Sequence, residues 1–158
     1  MRPPWWMSGV NFSCQSGCGK CCDQPGGIVY LSIADAERIS QHSGLSVEEW
    51  LERDARKTYD GRYVLKSREE DGICIHLNEH QQCSIYQVRP QQCKAFPWWG
   101  ENLISDRSWN QVKEQCPGID AEDAVLVEGN TIRLHIFSDR ESTKGFREWP
   151  PEARRNKR

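Results

Sequence analysis

The chain contains no apolar run approaching the ~18 residues that a membrane-crossing helix needs. It also lacks the glycine-rich phosphate loop and the dinucleotide fingerprint; Gly26-Gly27 reads as turn chemistry. No Ser-His-Asp or Cys-His pattern with recognisable spacing is present. Strong charge of one sign is missing too, since the 158 residues carry a formal net charge of -2. Bulk electrostatics therefore give no reason to expect nucleic acid as a partner. Apolar material is scarce: 37% of residues are hydrophobic, with four Phe and four Tyr against seven Trp. Mean hydropathy is -0.79. A core this thin gains much from a crosslink or a bound metal. The segment Met1-Arg2-Pro3-Pro4-Trp5-Trp6-Met7-Ser8-Gly9 has no apolar stretch of signal-peptide length. The expected compartment is the cytoplasm, where thiols stay reduced.

What the chain does have is cysteine: eight residues, at positions 14, 18, 21, 22, 74, 83, 93 and 116. Four fall in one short segment, Cys14-Gln15-Ser16-Gly17-Cys18-Gly19-Lys20-Cys21-Cys22. Gly17 and Gly19 let the backbone turn tightly enough for sulfurs to converge. Thiolates held close together repel unless a cation lies between them, and a metal both supplies that charge and deprotonates the thiols. Simple burial accounts poorly for such a cluster, and disulfides fit poorly in a reducing compartment. Cys21 and Cys22 are adjacent, so their side chains point apart in extended backbone. They are expected to serve two centres, or one to ligate while the other supports. The partition read here groups Cys14, Cys18 and Cys21 with one downstream cysteine, and Cys22 with three others. All-thiolate donor sets suit zinc and iron–sulfur alike. Structural zinc favours paired two-spaced cysteines, and only Cys18 and Cys21 have that spacing. The three-then-two spacing is closer to iron–sulfur loops, which gives iron–sulfur a slight edge over Zn. The radical enzymes that cleave S-adenosylmethionine share a related loop, but they need a larger barrel and leave the later cysteines unexplained.

Along the chain, Gly27-Ile28-Val29-Tyr30-Leu31 reads as a short strand. Ser32 with Asp35 opens a helix through Ile33, Ala36, Ile39 and Ser40, stopped by Gly44. Ser46 and Glu49 open a second, with Val47, Trp50, Leu51 and Ala55 on one face. Tyr63-Val64-Leu65 and Ile73-Cys74-Ile75-His76-Leu77 read as strands, the latter placing Cys74 and His76 on one face. His76 is a candidate ligand, or a donor to a thiolate from just outside the metal's own ligands. Pro90 suits the start of a helix through Cys93, ended by Pro97. Arg89 beside the thiolates would offset part of their charge. Trp98-Trp99 reads as core and lid. Ser105 or Asp106 starts a helix that stops at Cys116-Pro117-Gly118. Val125 and its neighbours, with Thr131 to Ile136, flank Glu128-Gly129-Asn130 and read as a β-hairpin with His135 facing solvent.

These pieces predict a small α+β domain organised around a cysteine-rich metal centre, with short helices and short strands. The expected organisation is an N-terminal extension (1–11), a metal-binding domain (12–119), a hairpin continuing it (120–145) and a basic tail (146–158). From Arg140 to Arg158 there are seven Lys/Arg and three Asp/Glu, a net of +4, which reads as a solvated end.

The ordered set Phe12-x-Cys14-x3-Cys18-Gly19-x-Cys21-Cys22, Val29-Tyr30-Leu31-Ser32, Gly72-x-Cys74, Cys83-x2-Tyr86-x2-Arg89-Pro90-x2-Cys93-x2-Phe96-Pro97 and Cys116-Pro117-Gly118 resembles the bacterial and archaeal cysteine-cluster proteins often called the YkgJ family. These are described as zinc- or iron-chelating domains. The resemblance implies metal ligation at the eight cysteine positions and carries no catalytic residue with it. The leading expectation is a cysteine-ligated metal-binding protein, iron–sulfur and redox-active ahead of zinc. The alternatives are a zinc-binding adaptor, a metal storage or sensing protein, and an iron-dependent enzyme. Asp23, His76 and Arg89 are the nearest acid–base groups for an enzyme. The expected partner is another protein, such as a redox partner.

Overall fold

A computed structural model describes residues 2–15 and 26–151. Two small two-stranded antiparallel sheets and a set of short helices form an α+β domain around two apolar clusters. In chain order the elements are β1 (Val10–Phe12), α1 (Ile33–Ser43), α2 (Val47–Asp54), β2 (Ala55–Lys57), β3 (Tyr63–Leu65), α3 (Gln91–Ala95), α4 (Gly100–Leu103), α5 (Asp106–Gln115), β4 (Val125–Val127) and α6 (Gly129–Thr143), with 3-10 turns at Trp5–Ser8 and Tyr86–Val88.

Helix α1 starts where its sequence signal lies. Ser32 Oγ accepts from the Asp35 N–H (3.0 Å) and Asp35 Oδ2 accepts from the Ser32 N–H (2.9 Å), a reciprocal capping box. Gly44 ends it at φ +73°, where a side chain would be strained. Ser46 Oγ caps α2 by accepting from the Glu49 N–H (3.1 Å). The first cluster gathers Leu31, Ala36, Ile39, Trp50, Leu51, Leu65, Ile85 and Phe146, with Cys74 and Cys83 packed against it. The second holds Trp6, Val10, Trp98, Leu103, Trp109, Cys116, Ile119 and Ile132. Trp98 and Trp109 stack with centroids 5.5 Å apart, and Phe12 meets Trp98 edge-on at 5.6 Å. Tryptophan thus supplies the bulk that the few Phe and Tyr do not.

Several expectations change. The expected extension over 1–11 is, in its described residues, part of the domain: Trp6 and Val10 are core, and β1 pairs with β4 in the register Val10↔Val127, Asn11↔Leu126, Phe12↔Val125. The expected hairpin over 120–145 is a strand followed by a helix. Ile132 and Ile136 satisfy a period of two, but they also satisfy i, i+4, and it is α6 that buries Ile132 while leaving Leu134 and Phe137 outside. Gly129 serves a close approach, not a turn: a Cβ there would run into the Met7 carbonyl oxygen. His135 is half-buried, and burial pushes its imidazole pKa down. The strand expected at 73–77 is a turn, closed by the Leu77 N–H donating to the Cys74 carbonyl (3.1 Å), so Cys74 and His76 do not share a strand face. Residues 27–31 form only a bridge, Tyr30 to Val64. Within the expected tail, Phe146 is core, Trp149 packs on the same cluster, and the Tyr63 N–H donates to the Phe146 carbonyl (3.1 Å).

Asp139 on α6 is 9% exposed, and its Oδ1 has no hydrogen-bond partner. Burial, then the nearby Glu101 charge, pushes its carboxyl up to about 6, with Arg140 opposing. A raised folded-state pKa means stability is full below the unfolded value and is lost as pH rises through the folded one.

Two outcomes are expected. Gly129→Ala destabilises by about 2 kcal/mol through overpacking against Met7, although helix propensity alone would favour alanine; a raised denaturation midpoint contradicts this account. Asp139→Asn raises the melting temperature relative to wild type near neutral pH, with the gap closing toward pH ~4; a pH-independent gap is the contrary result.

Candidate metal centre

Cys18, Cys21, Cys22 and Asp23 lie outside the described residues. Cys14, at the near edge of that segment, is exposed. Its neighbours are pinned: the Ser13 N–H donates to the Gly118 carbonyl (3.0 Å), and Gln15 Nε2 donates to the Ser13 carbonyl (2.9 Å) and to Asp123 Oδ1 (3.1 Å). Gly118 lies two residues beyond Cys116. It must be glycine, because a Cβ there would meet the Ser13 carbonyl oxygen. On the far side the Gly26 N–H donates to the Gly72 carbonyl (3.2 Å), two residues before Cys74. Gln92 then clamps the following stretch, with Oε1 accepting from the Tyr30 N–H (2.9 Å) and Nε2 donating to the Ile28 carbonyl (2.8 Å). Cys93 is the next residue. Both flanks of the four-cysteine segment are therefore fastened beside downstream cysteines.

Cys74 and Cys83 are linked through Leu77, whose N–H donates to the Cys74 carbonyl and which forms a β-bridge with Cys83. Cys93 sits half-buried on α3. Cys116, 6% exposed, belongs to the second cluster. Among the described residues no three His, Cys, Asp or Glu side chains converge as a metal-holding group. The expected centre is thus not assembled by the described residues alone.

His76 is buried at 7% exposure, with Nδ1 3.3 Å from Ser84 Oγ. Its Nε2 lies 3.8 Å from Asp54 Oδ2, beyond hydrogen-bond range, and has no partner. Asp54 is instead gripped by Arg53, Nε to Oδ1 at 3.0 Å and Nη2 to Oδ2 at 2.9 Å. Burial is the main cause that lowers the His76 pKa, with Asp54 opposing and Arg53 assisting. Arg89 turns to its own loop: Nη1 donates to the Tyr86 carbonyl (2.8 Å), and the guanidinium sits 4.1 Å from the Tyr86 ring centroid.

Asp35, Arg38 and Gln92 were not among the expected site residues, yet they position α3 and Cys93. Asp35, 1% exposed, uses Oδ1 to accept from the Gln91 N–H (3.0 Å) and from Arg38 Nη2 (2.9 Å). Arg38 also donates to the carbonyls of Val88 (3.3 Å) and Arg89 (2.8 Å). Trp99 Nε1 donates to the Gln92 carbonyl (2.7 Å). The capping box marked Asp35 in sequence; nothing distinguished Gln92 from Gln91.

The fold is that of a small α+β domain. Residues 13–117, more than half of the chain, match the CxxCxxCC family, described as a "putative zinc- or iron-chelating domain", and the chain belongs to that family. Its first spacing here is one residue longer, Cys14-x3-Cys18. No solved structure matches the chain.

Asp35→Ala is expected to cost about 3 kcal/mol in denaturant unfolding, because it strips a cap and leaves Arg38 without its carboxylate. It should also speed hydrogen exchange at the Gln91 amide. Unchanged protection at Gln91 would mean that α3 is held otherwise.

Proposed function

We propose that the chain is a cysteine-ligated metal-binding protein whose donors are Cys14, Cys18, Cys21, Cys22, Cys74, Cys83, Cys93 and Cys116, with an iron–sulfur cluster favoured over zinc. One observation carries this reading: the backbone on either side of the four-cysteine segment is fastened next to Cys116, Cys74 and Cys93, through Ser13–Gly118, Gly26–Gly72 and the Gln92 clamp on Ile28 and Tyr30. Such tethers gather thiols from distant stretches, and thiolates gathered together need a cation. The donors are soft sulfur, which suits both metals of the family description.

The preference for iron–sulfur rests on the three-then-two spacing. A bound cluster would supply one-electron transfer. The chain's own part is to bind and position. The sulfurs hold the metal. Trp98, 2% exposed, packs in the second cluster, and Trp99, fixed on the Gln92 carbonyl, braces the helix that carries Cys93. Buried His76 stands two residues from Cys74 as a further nitrogen donor or hydrogen-bonding group. Electron transfer implies a protein redox partner, and the cytoplasm is the compartment that keeps the thiols reduced.

Anaerobic purification followed by iron, zinc and acid-labile sulfide analysis tests this. Iron with sulfide, and visible absorbance that bleaches on oxidation, is the expected result. Colourless protein with tightly held zinc would overturn the iron–sulfur assignment while keeping the thiolate centre. Metal-free protein that is fully folded would overturn both. Cys18→Ser should lower metal per chain and thermal stability together; wild-type metal content would remove Cys18 from the ligand set.

A further inference from the structure

We propose that the cleft between the Trp5–Ser8 turn, α4 and α6 binds a small organic monocation, a protonated alkyl- or arylamine, at a site separate from the cysteine centre. The cleft measures about 490 Å³ and is lined by Trp6, Glu101, Leu103, Ile136, Asp139 and Arg140 among others. None of these residues is a cysteine or neighbours one in sequence.

Asp139 carries the argument. It is nine-tenths buried, its Oδ1 has no hydrogen-bond partner, and it lines this cleft. A buried acceptor left unpaired pays its desolvation penalty with no return. Oδ1 itself is closed to solvent, so a ligand in the cleft would act on the carboxylate as a whole, its positive charge offsetting the burial that disfavours the ionised form. Charge then selects the ligand. Glu101 lies near enough to act on Asp139, and Arg140 opposes it, so two carboxylates and one guanidinium leave a single negative charge in the cleft. A monocation balances it, whereas an anion would face both carboxylates. A divalent metal needs more oxygen ligands than two carboxylates provide, and no three potential ligands converge among the described residues. The remaining walls are mostly apolar, with Trp6, Leu103, Ile104 and Ile136 beside the single hydroxyl of Thr143. An amine with a hydrocarbon body matches such a mixed lining.

The test uses the full chain as purified, near neutral pH, with phenethylammonium as probe. Phenethyl alcohol and phenylacetate serve as controls of similar shape. Calorimetry reads affinity, and amide and indole NMR shifts read the location. The expected result is saturable phenethylammonium binding, with shifts at Trp6, Leu103 and Ile136. Affinity should fall about tenfold in Asp139→Asn, the loss of the carboxylate's charge beside the ligand. Neither control should bind comparably. Glu101 is exposed, so Glu101→Gln should fold normally and weaken binding by a smaller factor, which keeps the test decisive if Asp139→Asn fails to fold. Equal affinity for the alcohol, shifts confined to other residues, wild-type affinity in folded Asp139→Asn or in Glu101→Gln, or no saturation at millimolar probe would each overturn the proposal.

Discussion

The carboxylate of Asp35 joins the part of the fold that the sequence announces to the part that it does not. One oxygen closes the capping box of α1; the other accepts from the first amide of α3 and from Arg38. A carboxylate at 1% exposure would be costly if unpaired, and its hydrogen bonds offset that cost. Short helices cannot stand alone, because nucleation is unfavourable and α3 spans only Gln91–Ala95. The position of α3 therefore depends on contacts brought to it: Asp35 at its start, Gln92 reaching back to Ile28 and Tyr30, and Trp99 closing on the Gln92 carbonyl. Cys93 inherits that position.

Local signals were legible wherever side chain and backbone are near in sequence. Ser32 with Asp35, Gly44, Ser46 and Ser105 mark helix boundaries within the reach of one turn, and the helices begin and end where those residues say. The reading failed where one pattern serves two periods. Ile132 and Ile136 fit a strand or a helix equally, and only Met7 against Gly129, a contact across most of the chain, decides for the helix. It failed again at Cys74–Leu77, where a turn replaces alternation. Residues 1–11 read as an N-terminal extension because the partners of Val10 and Asn11, Val127 and Leu126, lie far away in sequence.

The candidate site divides in the same way. Its donors were legible as residue types, since eight cysteines in 158 residues require an explanation. The means of gathering them was not. Ser13 to Gly118 and Gly26 to Gly72 are backbone hydrogen bonds, which leave no side-chain signature except the glycine that permits one of them. Family membership for residues 13–117 fits this division, because a family model also reads residue types in order.

The two apolar clusters show what a bound metal would add here. Each is small, and the cysteines are distributed over both: Cys74 and Cys83 against the first, Cys116 within the second, Cys93 on the helix that Asp35 ties to α1. A centre drawing on these sulfurs crosslinks bodies that otherwise share short helices and hydrogen bonds. Stabilisation by such a crosslink comes chiefly from restricting the unfolded chain, and it grows with the length of chain enclosed. Sulfurs spread from Cys14 to Cys116 enclose nearly all of the family-matched segment. Under the proposed function, metal-bound thiolates would be the interaction best able to hold a 37% hydrophobic chain in one arrangement.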